Sequence, residues 1–110
     1  MTFNAAFIAH VPDADPDKHV AVLETDFYKL FSVLVRDTDQ AVDVCRRLVA
    51  DEGVDSILLC PGNTHQDVAR IVAAVGDDVS VSVARGDSRS QRVALKAMER
   101  AGWFTARPTA

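Results

Sequence analysis

Four stretches of the chain gather apolar residues into short, dense runs: Phe3–His10 (FNAAFIAH), Leu30–Val35 (LFSVLV), Ser56–Cys60 (SILLC) and Val79–Ala84 (VSVSVA). The first three read as strands buried on both faces. The fourth alternates strictly, with Val79, Val81 and Val83 on one side and Ser80 and Ser82 on the other. That pattern predicts either an edge strand or a strand whose serine face meets closely approaching backbone.

Between these runs the period lengthens to that of a helix. Thr38–Glu52 puts Ala41, Cys45, Leu48 and Val49 on one stripe, Thr64–Val75 does the same with Val68, Ile71, Val72 and Val75, and Ser88–Ala101 with Val93, Ala94, Ala97, Met98 and Ala101. Gly53, Gly76 and Gly102 follow the three runs as stop signals. Their starts carry capping-box patterns: Asp37 with Gln40, Thr64 with Asp67, Ser88 with Gln91. The segment after the first strand admits two readings. Asp15-Pro16 followed by Val20, Leu23 and Phe27 at helical spacing predicts a short fourth helix. Read as extended, HVAVLET instead turns the first connection into a long hairpin or arm.

Strand and helix in alternation predict an α/β protein: a small three-layer Rossmann-like or flavodoxin-like domain, its mostly parallel four-stranded sheet covered by helices on both faces. Right-handed crossovers prune the topologies, and strand order 2-1-3-4 is one that survives, although periodicity does not specify order. A single domain is expected over residues 1–104, with 105–110 (TARPTA) as a tail.

Composition removes several function classes. A net charge of −4 leaves no broad basic field for phosphate backbones, so nucleic-acid binding is not expected. No run of about 20 apolar residues and no charged-then-apolar leader occurs, so a soluble, cytoplasmic protein without membrane contact is expected. Cys45 falls on a helical stripe and Cys60 at a strand end, and both read as reduced thiols. The histidines and aspartates, among them His10, His19 and the DADPD run, lack metal-ligand spacing, and neither a metal nor a cofactor is expected.

Ligands of parallel α/β sheets bind beyond the carboxyl ends of the strands, where helix N-termini offer backbone N–H groups. The chemically distinctive residues gather at those ends: His10, Arg36-Asp37, Cys60 to His65 (CPGNTH) and Arg85 to Ser90 (RGDSRS). Cys60 near a helix N-terminus, with His65 or His10 as an imidazole partner, reads as a nucleophile or acid/base group; the bland alternative is a buried cysteine followed by an ordinary turn and cap. Around it Gly62, Asn63 and Thr64 are candidate ligand contacts. In ARGDSRSQR, Gly86 permits close backbone approach, and Arg85, Asp87, Ser88 and Ser90 surround it with polar groups, which suits a phosphate or carboxylate. Basic residues at a helix start oppose the helix dipole and call for a counter-anion. The bland alternative here is a capped helix with a solvated basic first half.

The combination AAFIAHVPDADPDKH, LVRD, SILLCPGNTHQDVARI and VSVARGDS resembles a family of small bacterial and archaeal proteins known as a domain of unknown function. The likeness covers nearly the whole chain and implies a compact α/β fold without assigning catalytic residues. A fainter similarity is to aspartate/glutamate racemases, in whose half-site a cysteine is followed directly by Asn-Thr; here Pro61 and Gly62 intervene. It implies, as an alternative, a cofactor-independent racemase or isomerase using Cys60.

Two functional classes follow: a domain binding a small anionic ligand at the rim, or an interaction module that acts by assembling. Self-association as a homodimer or higher closed oligomer is expected in either case. Leu95 falls off the Val93-Ala97-Ala101 stripe, Ala94 and Ala97 leave that helix flat, and Trp103-Phe104 follow it, which together suggest a self-complementary patch near the C-terminus.

Overall fold

In the central strands every second residue turns inward, and this alternation decides where the core lies. The computed structural model describes residues 2–105. Its elements run β1 (Phe3–His10), β2 (Val20–Glu24), β3 (Tyr28–Val35), α1 (Thr38–Glu52), β4 (Ser56–Leu59), α2 (His65–Val75), β5 (Ser80–Val83) and α3 (Ser88–Arg100). Ala6 and Ile8 of β1, Phe31, Val33 and Val35 of β3, and Ile57 and Leu59 of β4 share one face. They form a single core with Ala41, Val42, Val44 and Cys45 of α1 and Ile71 of α2. Full burial of side chains such as Ile8, Ile57, Leu59 and Ile71 stabilises the fold by about 1.5–3 kcal/mol each.

The sheet order is β2-β3-β1-β4-β5. β3, β1, β4 and β5 are mutually parallel, and taken as the four expected strands they lie in the order 2-1-3-4. β5 is an edge strand, as its serine alternation suggested. The crossovers β3-α1-β4 and β4-α2-β5 step in the same direction, so right-handedness puts both helices on one face. They are tied together there by Arg70 to Asp39 at 2.6 Å and by Thr38 Oγ1 donating to Asp67 at 2.9 Å.

Four expectations need correction. The sheet has five strands and is mixed, because the segment offered as a short helix at Asp15-Pro16 makes only one turn. His19 N–H reaches Asp15 C=O at 2.8 Å, and the Asp15 N–H donates to His19 Nδ1 at 2.9 Å. The mainly apolar run that follows then pairs antiparallel to β3, from Val20 against Val33 to Glu24 against Lys29. Extended backbone here gains a ladder of hydrogen bonds that an isolated short helix could not match.

Nor do helices cover both faces. The chain leaves β5 with Ala84 N–H on Leu59 C=O (2.8 Å), and a Cβ on Gly86 would lie 3.2 Å from Pro61 Cβ, so 84–87 is held at the carboxyl end of the sheet. From there α3 lies across the strand ends and has no buried residue. Phe3, Ala5, Phe7 and Ala9 of β1 therefore point to a face that no helix covers among the described residues. Tyr28, Leu30, Ser32 and Leu34 of β3 share it, with Leu58 of β4 and Ser82 of β5.

The third correction concerns capping. α1 and α2 begin as their patterns predict: Asp37 accepts from Gln40 N–H, and Thr64 and Asp67 form a reciprocal capping box. α3 does not, since its N-cap is Asp87 rather than Ser88 and makes no side-chain capping bond. The Asp87 carboxylate is occupied by Arg85, at 2.7 Å from Nη2 and 3.0 Å from Nε. Finally, Cys60 stands just beyond β4 instead of closing it. Residues 106–110 of the expected tail lie outside the described residues. Among the described residues no helix is long and apolar enough to cross a membrane.

Candidate functional site

α3 does not rest on the strand ends; it arches over them, and the space beneath it is a cavity of about 660 Å³. Its floor comes from the end of β1 and the loops that follow β1, β3 and β4: Ala9 to Pro12, Arg36-Asp37 and Cys60 to Gly62. Its roof comes from one stripe of α3, Gln91, Ala94, Leu95 and Met98, followed by Trp103 and Phe104. The helical spacing of that stripe and the turn at Gly102 (φ +84°), which brings Trp103 N–H onto Met98 C=O at 3.0 Å, aim the aromatic pair at the cavity. The volume is that of a small-molecule site, with a largely apolar lining and a few polar groups on one side.

On the floor, Cys60 is half-buried and its Sγ accepts two hydrogen bonds, from His10 N–H (3.4 Å) and Asn63 Nδ2 (3.5 Å). Asn63 also donates to Cys60 C=O at 3.1 Å, closing the Pro61-Gly62 turn. Both thiols are free, as expected. His10 sits on the helix-bearing side of β1, and its charge helps to lower the Asp67 pKa. The larger cause is the Thr64 N–H on that carboxylate (2.9 Å), with the Thr38 and Thr64 hydroxyls adding to it. Two polar atoms, His10 Nε2 on the floor and Asn63 Oδ1 behind it, are shielded from solvent without a hydrogen-bond partner.

Of the residues singled out by sequence, the structure brings His10, Cys60 and Gly62 to the cavity, with Arg36 and Asp37 beside them. Asn63 supports the cavity by bonding Cys60, whereas Thr64 is occupied in its capping box. His65 is exposed in the first turn of α2, and among the described residues it makes no hydrogen bond to Cys60. Arg85, Asp87, Ser88 and Ser90 are exposed and do not line the cavity. The counter-anion that the basic helix start calls for is supplied internally, by Asp87 on Arg85. Gly86 does permit close approach, but to protein: an added Cβ would stand 2.8 Å from Gln91 Oε1 and 3.2 Å from Pro61 Cβ. Sequence reading did not anticipate Gln91, Ala94, Leu95 and Met98 as cavity wall. Their spacing was visible, but it is equally the spacing of a helix packed on a sheet.

Burial pushes the Cys45 thiol up to about 12, and Cys45 lies wholly within the core. It cannot face Cys60 across the cavity, so the chain alone does not build a two-cysteine racemase site. Among the described residues no group of three or more His, Cys, Asp or Glu side chains could hold a metal ion.

Fold and site together define an α/β domain with a mixed five-stranded sheet and a roofed cavity at the carboxyl ends of its parallel strands. The chain belongs to a family of unknown function, DUF6506, whose model matches residues 3–99. No curated protein and no solved structure matches it.

Proposed function

We propose that the protein binds a small molecule with an apolar body and one acidic group in the cavity between α3 and the strand ends. The observation that carries this reading is the asymmetry of the walls: an apolar roof of Leu95, Met98, Trp103 and Phe104 faces a floor bearing His10, Arg36, Asp37, Cys60 and the backbone of Gly62. Arg36 is the only arginine or lysine among the described residues that line it, and it suits a carboxylate or phosphate. The anion of this proposal is thus met at the loop after β3, while the Arg85 to Ser90 turn serves to place α3. Binding is favoured over catalysis because the contacts of Cys60 Sγ are a backbone amide and a side-chain amide rather than an imidazole that could exchange its proton.

The protein has one tryptophan, and it lines the cavity, so occupancy has an internal reporter. A thermal-shift screen of aromatic and aliphatic carboxylates, phosphorylated metabolites and nucleotides should find a compound that raises Tm and also changes Trp103 emission. At about 100 times its Kd such a compound adds roughly 2.7 kcal/mol of stability. Met98→Lys should abolish both responses. Compounds that raise Tm without altering Trp103 emission, or that bind Met98→Lys equally well, would refute this site.

A further inference from the structure

We propose that the uncovered face of the sheet docks against the same face of a second copy of this chain. This rests on the sheet alone and not on the cavity. Alternation puts the acidic and basic strand residues, His10, Glu24 and Lys29, on the helix-bearing side, where Glu24 and Lys29 are opposite one another across β2 and β3 and Lys29 reaches Glu52. The opposite side presents no charge on any of the five strands. What it presents instead is aromatic and aliphatic: Phe3 packs on Tyr28 with ring centroids 5.5 Å apart, and Leu58 is 41% exposed. Phe3, Phe7, Tyr28, Leu30 and Leu58 line a groove of about 550 Å³ with serines along it. A contiguous apolar surface of this kind marks an interaction site.

Charge and area choose the occupant. A wholly uncharged face leaves any charge brought onto it without a partner, so the partner surface must itself be free of charge. The same face of a second molecule meets that requirement. α3, the other unburied amphipathic element, meets it less well, since its apolar stripe is turned to the cavity and Arg89, Arg92, Lys96 and Arg100 occupy its other side. Five strands about 4.8 Å apart and about six residues long at about 3.3 Å per residue give a footprint near 500 Å². Counted on both copies that is about 1,000 Å², at the lower bound for a specific interface and the size of a weak, reversible dimer. Two such sheets would stack about 10 Å apart around a two-fold axis, with serine hydroxyls able to pair across it.

Sedimentation equilibrium in the micromolar range should give twice the 11.9 kDa chain mass. Leu58→Arg should weaken association by about 100-fold or more, because it buries a charge without a partner, and leave the far-UV circular dichroism unchanged. Ser32→Lys provides a second variant at a half-buried polar position, decisive if Leu58→Arg fails to fold. A wild-type mass of one chain throughout would overturn the proposal. So would a folded Leu58→Arg or Ser32→Lys protein that dimerises as tightly as wild type, or dissociation brought about only by Trp103→Ala with Leu95→Lys, which would move the contact to α3.

Discussion

Ile57 and Leu58 are consecutive residues of one strand, similar in size and apolarity, and they point to opposite faces of the same sheet. Ile57 is fully buried beneath the helices, while Leu58 is 41% exposed on a face that no helix covers among the described residues. The difference lies in the crossovers and not in the strand. α1 and α2 connect strands by steps in one direction and are confined to one side, whereas α3 follows β5, leads to no further strand among the described residues, and lies at the rim. One face thus gains the core, the other is left apolar and open, and the displaced helix roofs a cavity.

The comparison breaks most sharply at those two residues. Ile57→Ala should cost about 2–5 kcal/mol, the transfer free energy of the lost carbons plus a cavity that helices on one side and paired strands on the other cannot close. Leu58→Ala, measured in dilute protein by urea unfolding, should cost only about 1 kcal/mol, because a side chain with 41% of its surface already in water loses less and leaves no enclosed cavity. If the open face docks a second copy, the Leu58→Ala penalty grows with protein concentration while that of Ile57→Ala does not. Equal penalties in dilute solution would show that the open face is covered within the single chain.

A second contrast lies between the two thiols, one in the core and one at the rim. Cys45 is pushed up to about 12 from 9.0, with burial as the cause. A folded pKa raised above the unfolded one contributes stability that is complete below about pH 9 and is lost as pH rises from there toward 12. Urea midpoints should therefore fall above pH 9, by roughly 1.4 kcal/mol per pH unit at the steepest, and Cys45→Ala should flatten that slope even though its small cavity lowers stability at neutral pH. In native protein one thiol, Cys60, should react with an alkylating reagent, the second appearing only on unfolding. Labelling of Cys45 at the rate of Cys60 would contradict the placement of α1.

Much of this arrangement was legible in the chain. Strict alternation marked β5 as an edge, period and capping residues located α1 and α2, and the carboxyl-end rule placed His10 and Cys60 near one cavity. What escaped was decided by partners that no local pattern names. Val20 to Leu23 fits a helix stripe and a strand equally well, and the ladder to β3 settles it as β2. The apolar stripe of α3 signals burial, but its direction depends on how 84–87 is held against Leu59 and Pro61. Ser88 looked like a cap by spacing; one position earlier Asp87 takes that place, and Arg85 holds its carboxylate.

Caps therefore give a smaller test of the same contrast between a packed side and a free one. Thr64→Ala removes a side-chain bond to Asp67 N–H (3.1 Å) at the start of α2 and should cost about 1 kcal/mol. Ser88→Ala removes no capping bond from α3 and should stay within about 0.5 kcal/mol. Amide exchange should follow the same division, slow in α1 and α2 and close to that of unfolded peptide through much of α3, until a ligand fills the cavity and slows α3 alone. Slow exchange in α3 of the unliganded monomer would mean that the helix is already packed.

The smallest effect concerns acid and the rim floor, where α1 and α2 start side by side. Asp67 is held below the usual carboxylate range, first by the Thr64 backbone N–H, then by the Thr38 and Thr64 hydroxyls, and last by the charge of His10. Because its folded pKa is depressed, Asp67 contributes stability that is present above the unfolded value of 3.8 and is lost as pH falls through the folded one. The carboxylate is close to solvent, so screening keeps this contribution modest. Carbon-detected NMR titration should show Asp67 releasing its proton below 3.8, and His10→Gln should move that midpoint upward slightly while Thr38→Val moves it further, in the order of the causes. An Asp67 midpoint unchanged in Thr38→Val would break the link between the two helix starts, and one unchanged in His10→Gln would place the imidazole farther from α2 than the cavity floor requires.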